Sequence, residues 1–419
     1  MPHPTNPSRV STHIITVKEP VNGHSEILMT NFSKTQIQRS LTTGFKSSLF
    51  PLYESHNTAS EPVESSAPKL SSIAQISINI YCPQQRVDDY EHLICQEVTL
   101  RRSLYNRHQP VASVWWLGSP LQQFSPEAIT ELCFRLSSHF THQQEGSTRG
   151  MAVTPMELDK NNLALIKGLN FNAIKLNIDA SVASGDRSLS KIEAALQMLT
   201  DYKSFKLSCV IKFSDQTHPD FIDRLLHLLE SSHCSHTEVS SQKSGPISLR
   251  DKRTSQNQLA RINQHFLECR WRACGNNNFF APSHPIGSLQ EPAKLEASPW
   301  GYQAKPIALW LGFGVAALSL SADKYQYNTP SSADYVAVLA NKKSPVQNYF
   351  QLPASKEANY QLIQQLLCQH AITSTDPDLH QKITSLIPNE WLVDNAKGLG
   401  LSTAGIVNLS SICDKIFDA

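Results

Sequence analysis

The chain has 419 residues, enough for about two or three domains with a sizeable core. Hydrophobic residues make up 40% and charged residues 17%, so the composition is globular but poor in charge, and the net charge of +1 offers no footprint for nucleic acid. The longest apolar run, residues 307–320, falls short of the about 20 residues that a bilayer span needs, so no membrane partner is expected. Residues 1–20 carry no apolar core of a secretory signal. An odd number of cysteines, nine, spread from Cys82 to Cys413, does not resemble a disulfide framework. Reduced thiols and a cytoplasmic location are the expectation.

Residues 1–72 are rich in Ser, Thr, Asn and Pro, and read as a partly disordered extension whose aromatic stretch 45–53 is suited to docking on a surface. From Ile73 an alternation of strands and helices begins. Residues 76–81 suit a strand, and 88–105 an amphipathic helix carrying Tyr90, Leu93, Ile94 and Val98. Residues 111–117 suit the next strand, broken by Gly118-Ser119-Pro120. Ser125-Pro126-Glu127 then provides an N-cap, a first-turn proline and a first-turn acid for a helix to about Phe140. The cycle continues with strands at 150–153, 173–178 and 206–213, and helices at 160–169, 189–202 and 219–229. Five such units predict an α/β fold with a parallel sheet, open or a partial barrel, with its chemistry beyond the C-terminal strand ends.

Residues 231–253 read as polar loop, with Arg250-Asp251-Lys252-Arg253 as a solvated turn, and 256–270 as a helix. Residues 275–303 read as loop. The chain from Tyr349 reads as helices, a short hairpin within 392–401 and a last helix over 403–417, suiting a mainly helical, winged-helix-like appendix. The expected domains are therefore 1–72, a (β/α) barrel at 73–255, a barrel-completing and loop-rich segment at 256–348, and 349–419.

Candidate chemical groups are sparse. Cys82 follows the first strand, but an iron–sulfur cluster needs several thiolates, and Cys95 falls inside a helix as a buried small hydrophobe. Gly118 permits a close backbone approach, as any strand-to-helix turn does. His233-Cys234-x-His236 brings too few ligands for zinc, and Cys269-x4-Cys274 is off the zinc-ribbon spacing. Trp115, Trp116 and Trp271 are expected in the core.

Several segments in order resemble the oxygen-independent coproporphyrinogen III oxidase family of radical S-adenosylmethionine (SAM) enzymes. Residues 116–129 resemble its Trp-Gly-Gly-Gly-Thr-Pro turn and following helix. Residues 153–178 align without a gap through Pro155, Phe171 and Asn172, and 208–217 keep Gln216 and Thr217. Residues 311–319, Leu-Gly-Phe-Gly-Val-Ala-Ala-Leu-Ser, are similar to Leu-Gly-Met-Gly-Val-Ser-Ala-Ile-Ser, and 392–418 follow the family's C-terminal ending. The resemblance covers residues 76–419 and implies a partial barrel of radical SAM type. The family cleaves SAM at a four-iron–four-sulfur cluster and oxidatively decarboxylates porphyrinogen propionates.

The family's cofactor groups are missing from the matching positions. Of the Cys-x3-Cys-x2-Cys motif only Cys82 remains. The glycine turn is reduced to Leu117-Gly118-Ser119-Pro120, and the cofactor-binding acid falls on Ala152. The family's arginine falls on Ala173, and its Ser-x-Gly-x-Gln run on Lys175, Asn177 and Asp179. The ribose-binding acid falls on Ser208, and Gly-Leu-Pro on Lys212-Phe213-Ser214. The expectation is a catalytically silent relative with no catalytic residue, cluster, SAM or metal, which binds a tetrapyrrole or a partner protein. The competing expectations are an active enzyme with a non-standard cluster held by Cys82 with Cys209 or Cys234, and a binder unrelated to porphyrins.

Overall fold

The computed structural model describes residues 54–57 and 75–418, apart from 107, 142, 182–185, 203, 215, 243–248, 276, 290–293, 305–306, 308, 322–323, 375 and 396–397. The expected extension, residues 1–72, lies outside the described residues except for β1 (Glu54–Asn57), and the 45–53 stretch lies wholly outside them. The chain then runs β2 (Ile76–Cys82), α1 (Tyr90–Leu100), β3 (Val111–Gly118), a single turn α2 (Pro120–Gln123) and α3 (Pro126–His139). It continues β4 (Gln143–Val153), α4 (Lys160–Gly168), β5 (Ala173–Asp179), α5 (Asp186–Asp201), β6 (Lys206–Ser214), α6 (Pro219–Ser231), β7 (Cys234–Gln242) and α7 (Leu249–Glu268). Short strands follow: β8 (Arg272–Cys274), β9 (Asn278–Phe280), β10 (Glu296–Ser298), β11 (Gly301–Gln303), β12 (Leu309–Phe313), β13 (Leu318–Ser321) and β14 (Lys324–Asn328). Next come α8 (Ser332–Ala340), β15 (Val346–Gln351), α9 (Glu357–Gln369), β16 (Ala371–Thr373) and α10 (Pro377–Leu386). The last elements are β17 (Leu392–Asn395), β18 (Gly398–Leu401), α11 (Thr403–Val407) and α12 (Leu409–Asp418).

The main sheet has 13 strands in the order β1-β15-β14-β13-β12-β2-β3-β4-β5-β6-β7-β9-β8. From β12 to β7 every neighbouring pair is parallel. Both flanks are antiparallel, so the barrel is partial and continues at each side into hairpins. Consecutive strands β2 to β7 lie side by side with helices as crossovers, the arrangement that right-handed βαβ units impose. This is the α/β partial barrel expected from the sequence.

The pleat sorts the strands into two faces. Ile76, Ile78 and Ile80, Met151 and Val153, Ile174, Leu176 and Ile178, and Leu207, Ile211 and Phe213 pack against the helices in one core. The intervening residues turn to the concave face. Local signals place the helices: the Ser125 side chain caps α3 by accepting from Ala128 N at 3.2 Å, with Pro126 in the first turn. A second core joins Cys274, Phe280, Leu318 and Tyr327 to Ile363, Leu366 and Ile412, so the C-terminal segment packs on the flank of the sheet.

Several expectations need correction. β4 is longer than residues 150–153 because its polar N-terminal half still pairs with β3, starting at Val111↔Gln143. The stretch read as loop at 231–253 holds β7 and the start of α7, so Arg250–Arg253 lie in a helix and not in a turn. β7 escaped the hydrophobic pattern because its concave-face residues, His236, Glu238 and Ser240, are polar. The hairpin at 392–401 is present, with β16 as a third strand, and the last helix is broken at Asn408.

Candidate active site of the partial barrel

Parallel strands leave their C-terminal ends open to the concave face, where the sequence places the cofactor positions of the resembled family. The structure divides those positions between two faces. Cys82 ends β2 on the face of Ile76, Ile78 and Ile80, is 5% exposed and lies in the helix-side core, where burial pushes its thiol well up. Gly118 pairs with it and has φ +83°. A Cβ there would collide with the Cys82 carbonyl, so the glycine serves the close approach of β2 and β3. Ala152, Ala173, Asp179 and Ser208 are on the concave side. Ala152 pairs with Lys175, Ala173 with Gly150, and Ser208 Oγ donates to Ile174 O at 3.4 Å. Asp179 accepts from Ser181 N at 3.0 Å and from the Ser181 hydroxyl.

Aromatic rings and cations occupy the concave face. The Trp115 indole lies against Gly150, which has no room for a Cβ, and Lys175 Nζ sits 5.4 Å from the Trp115 ring centroid. That spacing fits a cation–π contact. Trp115 is therefore a wall of the basin, whereas Trp116, 1% exposed, and Trp271 are core as expected. Lys212 follows on β6, in register with Asp179 and Ser240. His236 stacks on Phe280 at 4.4 Å, with Nε2 3.1 Å from Asn278 Oδ1. Burial, reinforced by Lys175, holds His236 down to about 3, and it is neutral at physiological pH. Trp300, from the β10–β11 hairpin, stacks on Trp310 at 4.4 Å and donates Nε1 to the Tyr81 hydroxyl at 2.7 Å. The hairpin thus packs on the concave face beside β12 and β2.

Sequence reasoning missed the clamp on the Leu-Gly-Phe-Gly segment. Glu97 of α1, fully buried, accepts from Gly314 N (2.8 Å), Asn328 Nδ2 (2.8 Å) and the Tyr335 hydroxyl (2.6 Å), and pairs with Arg101 at 3.1 Å. Arg101 in turn donates to Gly312 O at 2.7 Å and Ser319 Oγ at 3.0 Å. The i,i+4 spacing on α1 was the available signal.

No other thiol converges on Cys82 among the described residues; Cys209 and Cys234 meet each other instead. Cys209 of β6 faces the helix layer, four strand spacings from β2, roughly 19 Å. Its neighbour Cys234 is also in that core, its Sγ 3.2 Å from His236 O, while the His236 ring turns to the opposite face. So His233-Cys234-x-His236 forms no ligand set. Cys274 is buried in the second core, apart from Cys269 at the end of α7. A cluster held by three thiolates does not fit this donor set, and Ala152 and Ser208, which stand at the positions of the resembled family's two cofactor-binding acids, carry no charge.

No protein-family model matches the chain. In sequence it is similar to the oxygen-independent coproporphyrinogen III oxidase of Pseudomonas aeruginosa, 21% identical over 357 residues, 78% of this chain and 77% of that one. It is similar too to the protein of the same name from Synechocystis, 18% identical over 308 residues, 69% of this chain and 66% of that one. In structure it matches the coproporphyrinogen III oxidase HemN of Escherichia coli, described as a radical SAM enzyme. The TM-score is 0.69 at 16% identity, over 84% of this chain and 92% of that chain. The fold is a partial (β/α) barrel of radical SAM type. Within that fold, the chain is similar in sequence to oxygen-independent coproporphyrinogen III oxidases and in structure to HemN.

Proposed function

We propose that this chain is a non-catalytic relative of coproporphyrinogen III oxidase that binds a carboxylated tetrapyrrole in its barrel basin. The observation that carries the reading is the direction of Cys82. The one thiol left at the cluster position faces the helices, while the opposite face of the strands carries Lys175 over the Trp115 ring, Lys212 on β6, and Trp300 stacked on Trp310. Flat aromatic walls suit a macrocycle, and ammonium groups suit its propionates. A cofactor bearing a sulfonium and an ammonium is disfavoured by the same charges.

The test is anaerobic reconstitution with iron and sulfide, followed by incubation with SAM and a reductant. Neither stoichiometric iron nor 5′-deoxyadenosine is expected, while coproporphyrin III quenches tryptophan fluorescence saturably. A four-iron cluster with 5′-deoxyadenosine formation overturns the non-catalytic reading. Absence of quenching at micromolar porphyrin overturns the tetrapyrrole.

A further inference from the structure

Away from the basin, α6 and α7 bring three potential metal ligands, Glu230, His265 and Cys269, together on the outer layer, with His227 beside Glu230. His227 and Glu230 are three apart on α6, and His265 and Cys269 are four apart on α7 and its C-cap. Both spacings put the pair on one helix face. The helices run parallel, because Asp223 meets Arg261 one turn before His227 meets His265. Their C-terminal ends therefore lie together, at the end of the barrel opposite the strand termini that form the basin.

The polar atoms are already close. His227 Nδ1 lies 3.7 Å from Glu230 Oε2, and His265 Nε2 lies 4.0 Å from the same oxygen. Cys269 Sγ lies 3.5 Å from Glu230 Oε1 and 4.0 Å from His265 Nε2. Glu230, His265 and Cys269 each offer a ligand atom within 4.8 Å of the others. A tetrahedral centre with arms of roughly 2.0–2.3 Å has edges of roughly 3.3–3.8 Å, so small side-chain shifts suffice to close the site.

We infer that His227, Glu230, His265 and Cys269 form a zinc-class metal site that staples α6 to α7. Two imidazoles, a thiolate and a carboxylate select zinc or cobalt over calcium or magnesium, which require oxygen ligands. The ends of two helix dipoles add partial negative charge, which a cation neutralises. The backbone is fixed for the purpose: Cys269 N donates to His265 O at 3.1 Å, and the following turn closes with Trp271 N to Phe266 O at 2.9 Å. Access is open, since the His227 side chain is 74% exposed and Glu230 51%. The site is independent of what the basin binds.

The experiment is a Co2+ titration of the full chain after chelator treatment, followed by Zn2+ competition. One Co2+ per chain is expected, with a sulfur-to-cobalt charge-transfer band and tetrahedral visible bands, both lost when Zn2+ displaces it. Cys269→Ser removes the charge-transfer band and weakens binding by about tenfold or more, on the scale that even outer-shell changes reach. His227→Gln and His265→Gln weaken binding while leaving the band, and Cys95→Ser on α1 leaves both unchanged. Zn2+ raises the melting temperature of the parent and not of Cys269→Ser. No Co2+ binding at micromolar metal, or binding whose band survives Cys269→Ser, overturns the assignment. Should Cys269→Ser fail to fold, unchanged Co2+ affinity in His227→Gln together with His265→Gln overturns it equally.

Discussion

Cys82 ends β2 with its Sγ among the isoleucines of that strand, and a thiol in such surroundings behaves as a small hydrophobe. Cys82→Ala should therefore cost about 1 kcal/mol in urea unfolding and leave iron content after reconstitution where the parent has it. Loss of bound iron in this variant would return the cluster hypothesis to Cys82. Two neighbouring imidazoles, His236 and His284, give a second prediction. His236 is held down to about 3 by burial and then Lys175, and His284 to about 4 by burial and then Lys206. The unfolded chain takes up these protons near the ordinary histidine value of 6.5, and the folded chain does not. Their stabilisation is thus complete above that pH and is lost as pH falls below it toward 4. At pH 5 the loss is on the order of 2 kcal/mol for His236 and smaller for the partly exposed His284. Comparison of urea midpoints at pH 7 and pH 5 should show it, and His236→Gln should remove the larger part of the histidine contribution. An unchanged pH slope in that variant rejects the assignment. The direction of Cys82 follows the period-two run of Ile76, Ile78 and Ile80 and was legible in the sequence, whereas that of His236 was not. A register shift at Leu207/Ser208, opposite Cys234 and His236, turns the His236 ring to the concave face, and no local pattern reveals it.

At the level of elements, α1 is the clamp for the turn after β12. Glu97 and Arg101 lie one helical turn apart with side chains 0% and 3% exposed, and together they bind Gly312, Gly314, Ser319, Asn328 and Tyr335. Removing one partner strands the other charge in the core. Arg101→Met should destabilise by about 3–5 kcal/mol in urea unfolding, and the double variant Glu97→Gln/Arg101→Met by less. Equal losses in the two would mean that the charges do not couple. Helices with caps and strands with apolar alternation, such as α3 and β5, were readable from residue order. β7 was not, because half of its residues face the basin and are polar. Nor was the α6–α7 ligand cluster, whose members come from two helices 35 or more residues apart along the chain. Each helix alone shows only a pair of polar residues on a solvated face.

For the whole molecule, two kinds of residue have separated in their demands. The helix-side core, from Ile76 to Phe313, forms the barrel, and the concave side carries Lys175 and Lys212 in segments matching the resembled family's cofactor motifs, with Trp115 against Lys175 and Trp300 on Trp310. Scaffold and pocket are on opposite faces of the same strands, so substitutions on one leave the other intact. Legibility follows the same division: the barrel could be read from hydrophobic period and caps, while the nature of the pocket depended on three-dimensional neighbours such as Trp300 and Tyr81, 219 positions apart. A ligand that binds only the folded basin must then raise the stability of the entire chain. At a hundredfold excess over Kd the gain is about 2.7 kcal/mol. Coproporphyrin III should accordingly raise the melting temperature by a few degrees, and SAM should not. Lys175→Met should cut the coproporphyrin affinity by about tenfold, because one half-buried ammonium contributes on the order of 1.4 kcal/mol to a carboxylate. The same variant should show a weaker salt dependence, since one of the charges that salt screens is gone. A shift produced by SAM but not by coproporphyrin reverses the assignment of the basin, and an unchanged affinity in Lys175→Met moves the carboxylate contact to Lys212.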